Sequence, residues 1–173
     1  VIMQLVESGL ICRTPDGSSY VVGPKLMTLA VDTFSAVAQS APVRTVLRRL
    51  VDDVGETCNL GVLDRDSVVY IDRIECDWPL RLQIGIGSRV PIHATAIGKI
   101  LLAYLPARTR RRVLGSAPLK RFTENTLVNP AEIEKHLKTV RRLGYACNAE
   151  ENTLGLIGIA VPVRDGQGRA VDG

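Results

Sequence analysis

The chain has 173 residues, 46% of them hydrophobic and 23% charged, with 22 basic and 18 acidic residues giving a formal net charge of +4. That length buries roughly 70% of the surface an unfolded chain exposes, and the composition is ordinary for a globular protein, which excludes a disordered or fibrous chain. Cys12, Cys58, Cys76 and Cys147 form no C-x-x-C pair, which argues against a disulfide framework or a thiolate zinc site. No secretion signal is visible and the apolar runs fall short of the ~20 residues that span a membrane, so the expected location is the cytoplasm with reduced thiols.

Taken in chain order, Val1–Ser8 reads as the last turns of a helix closed by Gly9. Leu10–Arg13 and Ser18–Val22 then read as two short strands around the turn Thr14-Pro15-Asp16-Gly17. A helix followed at once by a small hairpin matches the back half of a winged helix-turn-helix. From Lys25, the residues Leu26, Leu29, Ala30, Phe34, Val37 and Ala38 recur at helical spacing, so a continuous helix over Lys25–Gln39 is expected, its stripe making protein–protein contacts. Pro42 restarts the pattern. Val43, Val46, Leu47, Leu50, Val51 and Val54 share one face of a further helix, ended by Gly55, and that face should pack on the rest of the molecule.

After Gly55 the period drops to two. Glu56–Leu63 and Val68–Glu75 read as strands joined by Asp64-Arg65-Asp66, and Leu80, Leu82 and Ile84 alternate with polar residues as a third strand. A helix begins near Ala94 and runs to Tyr104. The densest basic run, Arg108, Arg110, Arg111 and Arg112, sits at helical spacing; a solvated face outweighs a phosphate grip there. Arginine supplies 17 of the 22 basic residues, a balance that fits a nucleic-acid partner without demanding one. Asn129-Pro130-Ala131-Glu132 carries cap, first-turn proline and capping-box acid for a helix buried through Ile133, Leu137 and Val140 and ended by Gly144. Strands over Tyr145–Glu150 and Leu156–Val163 lead to the turn Asp165-Gly166-Gln167-Gly168. The sum is an α+β architecture with an antiparallel sheet flanked by helices.

Several segments together resemble bacterial transcription regulators of the IclR (isocitrate-lyase-regulator) type. Gly9-Leu10, Cys12-Arg13 and Tyr20-Val21-Val22-Gly23 resemble the wing and its exit; Gly55-Glu56-Thr57-Cys58-Asn59-Leu60 resembles the first sensor strand. Pro91-Ile92-His93-Ala94-Thr95-Ala96-Ile97-Gly98-Lys99 resembles the most diagnostic segment, and Arg141–Ala146, Glu150-Glu151, Gly155 and Ala160–Val163 complete the match. The resemblance implies residues 1–24 as the end of a winged-helix DNA-binding domain, 25–41 as a linker helix and 42–173 as an effector-binding sensor domain of GAF- or PAS-like fold. It implies operator DNA, a small organic effector and a homodimer or dimer of dimers as partners, and no membrane. It also implies that the chain starts inside the DNA-reading helix and stops before the last sensor strand and helix.

The site follows partly from chemistry. A helix starting near Ala94 leaves its first amides unpaired, and these favour an anion or a carbonyl oxygen. Ala96, Ile97 and Gly98 are small or apolar and leave a ligand room to approach. The competing reading is an ordinary buried helix start capped by His93 or Thr95. The resemblance places the pocket's backbone donors on Ala96 and Ile97, and Asn148 and Gly158 where relatives often carry an acidic and a small polar residue. Leu82 and Val90 would line an apolar wall, or simply belong to the core. With no Lys or Arg nearby except Lys99, which should point along the helix, the expected effector is a carboxylic acid or an aromatic compound. On the wing, Arg13, Ser18, Ser19 and Tyr20 could reach phosphates or simply face solvent.

No cofactor is expected. His93 and His136 are the only histidines, too few for a metal site, and His136 should lie on the polar side of its helix. Glu150 and Glu151 point to opposite faces and cannot act as an acid/base couple. With no nucleophile–base set, an enzyme sharing the pocket is the less favoured alternative, as is a ligand-free oligomerisation module.

Overall fold

The computed structural model describes residues 1–38, 41–77, 84–167 and 170–173, and divides them into two compact units. The first holds Val1–Cys58 with Ile74–Pro79; the second holds Asn59–Arg73 with Leu80–Gly173.

In the first unit, α1 (Ile2–Glu7) ends where Gly9 takes a left-handed conformation with φ of 74°, as its place after the helix requires. Strands β1 (Ile11–Arg13) and β2 (Tyr20–Val22) pair antiparallel, with Cys12 opposite Val21. Gly23 then crosses directly over the α1 exit: a Cβ at this position would lie 2.3 Å from the Gly9 carbonyl oxygen. Helix α2 (Pro24–Ala38) covers the expected continuous helix to within a residue at each end, starting on proline. Leu29 on it is 57% exposed; the Phe34 side chain lies outside the described ones. Helix α3 (Ala41–Val54) departs from expectation. Val51 is buried and Val43 and Leu47 are half-buried, but Val46, Leu50 and Val54, spaced four residues apart, face outward. The apolar stripe is wider than the surface this unit offers it.

The second unit carries the main core. Strands β3 (Cys58–Asp64), β4 (Ser67–Ile74) and β5 (Arg89–Pro91) form a sheet in that order, with Val68 opposite Val90. The expected strand over Leu80–Ile84, including Leu82, falls on residues 78–83, outside the described ones, apart from Ile84. Helix α4 (Ala96–Tyr104) is apolar all round and buried along nearly its whole length, so it sits inside the unit rather than on it. It packs on α6 (Pro130–Leu143) and on the antiparallel pair β6 (Ala146–Ala149) and β7 (Ile157–Ala160). Helix α5 (Ala107–Leu114) lies between them in sequence. The core joins Val68, Tyr70, Val90, Ile92, Ile100 and Leu102 to Ile133, Leu137 and Val140.

The α6 start keeps the predicted cap and first-turn proline, but among the described residues Glu132 makes no capping-box bond back to the Asn129 amide. Asn129 Oδ1 accepts from the Ala131 amide, and Gly144 closes the helix at φ 80°. The strand expected over Leu156–Val163 is interrupted after Ala160, where Pro162 has no amide to offer a ladder; β8 (Val163–Arg164) turns instead to pair with β9 (Ala170–Asp172). Gly173 exchanges both backbone hydrogen bonds with Gly61 on β3. No helix among the described residues is long and apolar enough to cross a membrane.

Candidate effector site

The amino end of α4 owes its shape to two residues. Thr95, in extended conformation, is the cap: its hydroxyl donates to the Pro91 carbonyl (2.8 Å) and accepts from the Gly98 amide (3.2 Å). Gly98 is glycine because the chain passes over itself, a Cβ there lying 2.0 Å from the Ile92 carbonyl oxygen. Thr95 was a candidate cap and, with Gly98, a candidate ligand contact. The Thr95 hydroxyl is engaged in capping and Gly98 permits the close packing, so what these two positions offer a ligand is backbone. His93, the other cap considered, bonds instead through Nε2 to the Lys120 carbonyl (2.9 Å) and lies beside the Phe122 ring.

This arrangement leaves the amides of Ala96 and Ile97 uncapped by Thr95. Opposite them stands the inner face of the β6–β7 pair. Asn148 and Gly158 are register partners across that pair, and a Cβ on Gly158 would lie 4.0 Å from the Ala96 Cβ. The structure thus brings Ala96, Gly158 and Asn148 into one place. Val90 does not join them as an open wall; it is buried in the core opposite Val68. Leu82 lies outside the described residues.

Asn148 is 4% exposed and its orientation is fixed. Its Oδ1 accepts the Glu151 amide at 2.9 Å, and a backbone N–H can only donate, so the oxygen is committed and the NH2 group is turned the other way. The side chain therefore presents donors, as the α4 amides do.

Lys99 corrects the expectation that it points along its helix. It is buried completely, and its Nζ pairs with Glu151 Oε1. A lysine inside the uninterrupted apolar run Ala96–Ala103 needs a buried partner, which was the available signal; the partner itself, 52 residues away, left none. Glu151 is held further by the Thr126 hydroxyl, which donates to its carbonyl (2.6 Å), while its Oε2 has no partner. Glu150 goes elsewhere, accepting the Gly155 amide through Oε1, so the two acids do act separately. His136 is not on a polar face as expected: its Nε2 is buried and unpartnered, and burial, then the charge of Lys99, push its pKa down against an upward pull from Glu151. An open groove of about 450 Å³ is lined by Asn125, Leu127, Ala149, Glu150, Glu151 and Ile157, beside Asn148 rather than over Ala96.

The wing residues are tied to one another. Arg13 Nε donates to the Gly17 carbonyl (3.0 Å) and Ser18 Oγ to Asp16 Oδ2 (2.7 Å). Hydrogen bonds from Thr14 and Ser18 hold the Asp16 pKa at about 2, so the wing tip carries a fixed negative charge. That charge and the committed Ser18 hydroxyl count against Ser18 as a phosphate donor. Ser19 and Tyr20 are exposed, and Tyr20 is the larger contact surface.

Comparison with known proteins places this geometry. The family model described as "Bacterial transcriptional regulator IclR C-terminal" matches residues 35–173. The chain is 39% identical over 170 residues to a Cupriavidus necator protein named "Probable transcriptional regulator SauR", covering 98% of the chain and 68% of that protein. It is 35% identical over 172 residues to the HTH-type transcriptional regulator KdgR of Dickeya chrysanthemi, covering 99% of the chain and 56% of the relative. Among solved structures, an IclR homolog of Microbacterium hydrocarbonoxydans complexed with 4-hydroxybenzoate superposes with a TM-score of 0.73 at 27% identity, covering 99% of this chain and 70% of that one.

Proposed function

Because the chain belongs to the IclR family of bacterial transcriptional regulators, we propose that it is a ligand-responsive, DNA-binding regulator whose effector sits between the α4 amino end and Asn148. The observation that carries this reading is the donor set. The Ala96 and Ile97 amides lie at the α4 end that faces Gly158, a Cβ on which would lie 4.0 Å from the Ala96 Cβ, and Asn148 is the register partner of Gly158 with its NH2 group left to donate. Donors of this kind select an oxygen-bearing group, so the effector is a small carboxylic acid, aromatic or aliphatic; the neighbouring Glu151 carboxylate is paired with Lys99 through Oε1. Residues 1–24 then act as the wing of the DNA-binding domain, with Arg13 and Tyr20 near phosphates, 25–41 as the linker helix and 42–173 as the sensor. The exposed Leu26 and Leu29 on α2 fit self-association, so a ligand that prefers one arrangement of paired copies alters operator affinity.

The test is calorimetry on the 173-residue chain with 4-hydroxybenzoate, an aliphatic monocarboxylate and a quaternary ammonium control. A carboxylate is expected to bind and the cation to fail. Asn148→Asp should lower carboxylate affinity by about 1–3 kcal/mol, because it replaces a donor with a like charge. Its Oδ1 can still accept the Glu151 amide, but the new charge is buried beside Glu151, so the melting temperature should fall as well and affinities are compared below the variant's transition. Equal affinity with intact folding would turn Asn148 away from the effector; tight binding of the cation alone would overturn the donor-set reading.

A further inference from the structure

The positive charge of this protein is not where a wing would use it. The second compact unit holds 17 of the 22 basic residues and ten of the 18 acidic ones, so it is strongly basic while the first unit is net acidic. Within the basic unit the imbalance is concentrated further. Helices α5 and α6 together carry eight basic and two acidic residues.

The structure sorts these eight into two groups. Arg110 is structural: its Nε donates to Glu134 Oε1 (2.9 Å) and its Nη1 to the Leu105 carbonyl (3.0 Å), tying α5 to α6. Arg141 lies over the Tyr104 ring. The other six, Arg108, Arg111, Arg112, Lys135, Lys138 and Arg142, are exposed. Arg108, Arg111 and Arg112 are spaced three and four apart, and Lys135, Lys138 and Arg142 three and seven apart, so each helix presents one basic stripe. The stripes meet. Glu134 feels the charges of Arg110, Arg111 and Lys138 together, and its pKa is lowered, first by the Arg110 hydrogen bond. One acid, already paired with Arg110, thus faces charges from both helices, and its single charge cannot neutralise them.

We infer that the α5–α6 face is a second nucleic-acid contact surface, which grips the sugar–phosphate backbone of duplex DNA without reading bases. Two features favour DNA over an acidic protein. Stable protein interfaces are anchored by buried apolar or aromatic side chains, whereas the only large apolar side chain exposed on either helix is Leu143, at the end of α6. Four of the six exposed cations are arginines, whose planar guanidinium matches phosphate. The surface is independent of the effector site, so either reading can fail without the other.

The experiment is fluorescence anisotropy of the 173-residue chain with a labelled random duplex of about 30 base pairs, between roughly 50 and 200 mM salt. Binding should weaken steeply with salt. R108Q/R111Q/R112Q should lower affinity at least tenfold at the low-salt end and flatten the log–log salt slope by about two to three. K135Q/K138Q/R142Q should act alike. Arg13→Gln on the wing should change the slope by at most about one. All substituted side chains are exposed, so melting temperatures should hold. An unchanged salt slope in both triple variants, or no binding by the parent chain, would overturn the inference. Competition by poly-glutamate as effective as by unlabelled duplex at equal charge would overturn it in favour of an acidic protein partner.

Discussion

Helices α4 and α5 are neighbours in the chain and nearly equal in length, yet they handle charge in opposite ways. The first carries one lysine among apolar residues and takes it into the core against Glu151; the second carries four arginines and commits only Arg110 to a side-chain ion pair. A cation without a polar face around it has to be matched inside the protein, and becomes part of the scaffold. A cation on a polar face stays hydrated and available to a partner. The same residue types therefore support the sensor core in one helix and offer a surface in the next.

The most severe way to break this contrast is to strip the buried lysine of its charge. Lys99→Met leaves Glu151 buried without its partner and should cost about 3–5 kcal/mol in urea denaturation, whereas the α5 triple variant should cost under about 1 kcal/mol. Pairing Lys99→Met with Glu151→Leu should recover much of the loss. A single variant as stable as the parent would mean the pair contributes nothing. A smaller effect tests how the α4 start is held: Thr95→Ala removes the acceptor of the Gly98 amide and the donor to Pro91, and should cost about 1–2 kcal/mol. The smallest effect is read in pH. Burial lowers the His136 pKa in the folded protein, so the unfolded chain takes up its proton first as pH falls below the ordinary histidine value of 6.5. Stability should decline below that value and be fully present above it; His136→Gln should shallow that acid-side decline, and an identical pH profile would assign it to other groups.

How much of this could be read beforehand depended on sequence distance. The α6 cap was legible because Asn129, Pro130 and Gly144 act within one helix. Asn148 and Gly158 stand out by the family resemblance alone; that they are register partners is a property of the β6–β7 pair that no local pattern announces. Lys99 and Glu151 are likewise joined only by the fold, and so are the cations that surround Glu134. The α3 stripe shows the complementary failure: periodicity identified the helix but not which part of a wide apolar face would find a neighbour, and Val46, Leu50 and Val54 found none within their unit. The choice between capping and ligand access at Thr95 and Gly98 stays open in the sequence for a related reason. Small and hydroxyl residues at a helix start serve ligand access and backbone closure equally well, and only the position of the Ile92 and Pro91 carbonyls decides.

Gly23 has a mechanical consequence. Its missing side chain lets the Gly9 carbonyl lie against the backbone, and the Gly23 amide bonds to the Leu10 carbonyl (2.7 Å) and the Lys25 amide to the Gly9 carbonyl (3.2 Å). The seam between the wing and the first turn of α2 is therefore stitched on both sides of Pro24, with no slack for a hinge. Two backbone hydrogen bonds thus clamp the β1–β2 hairpin to the start of α2, and any larger residue at position 23 would act as a wedge driven into that joint.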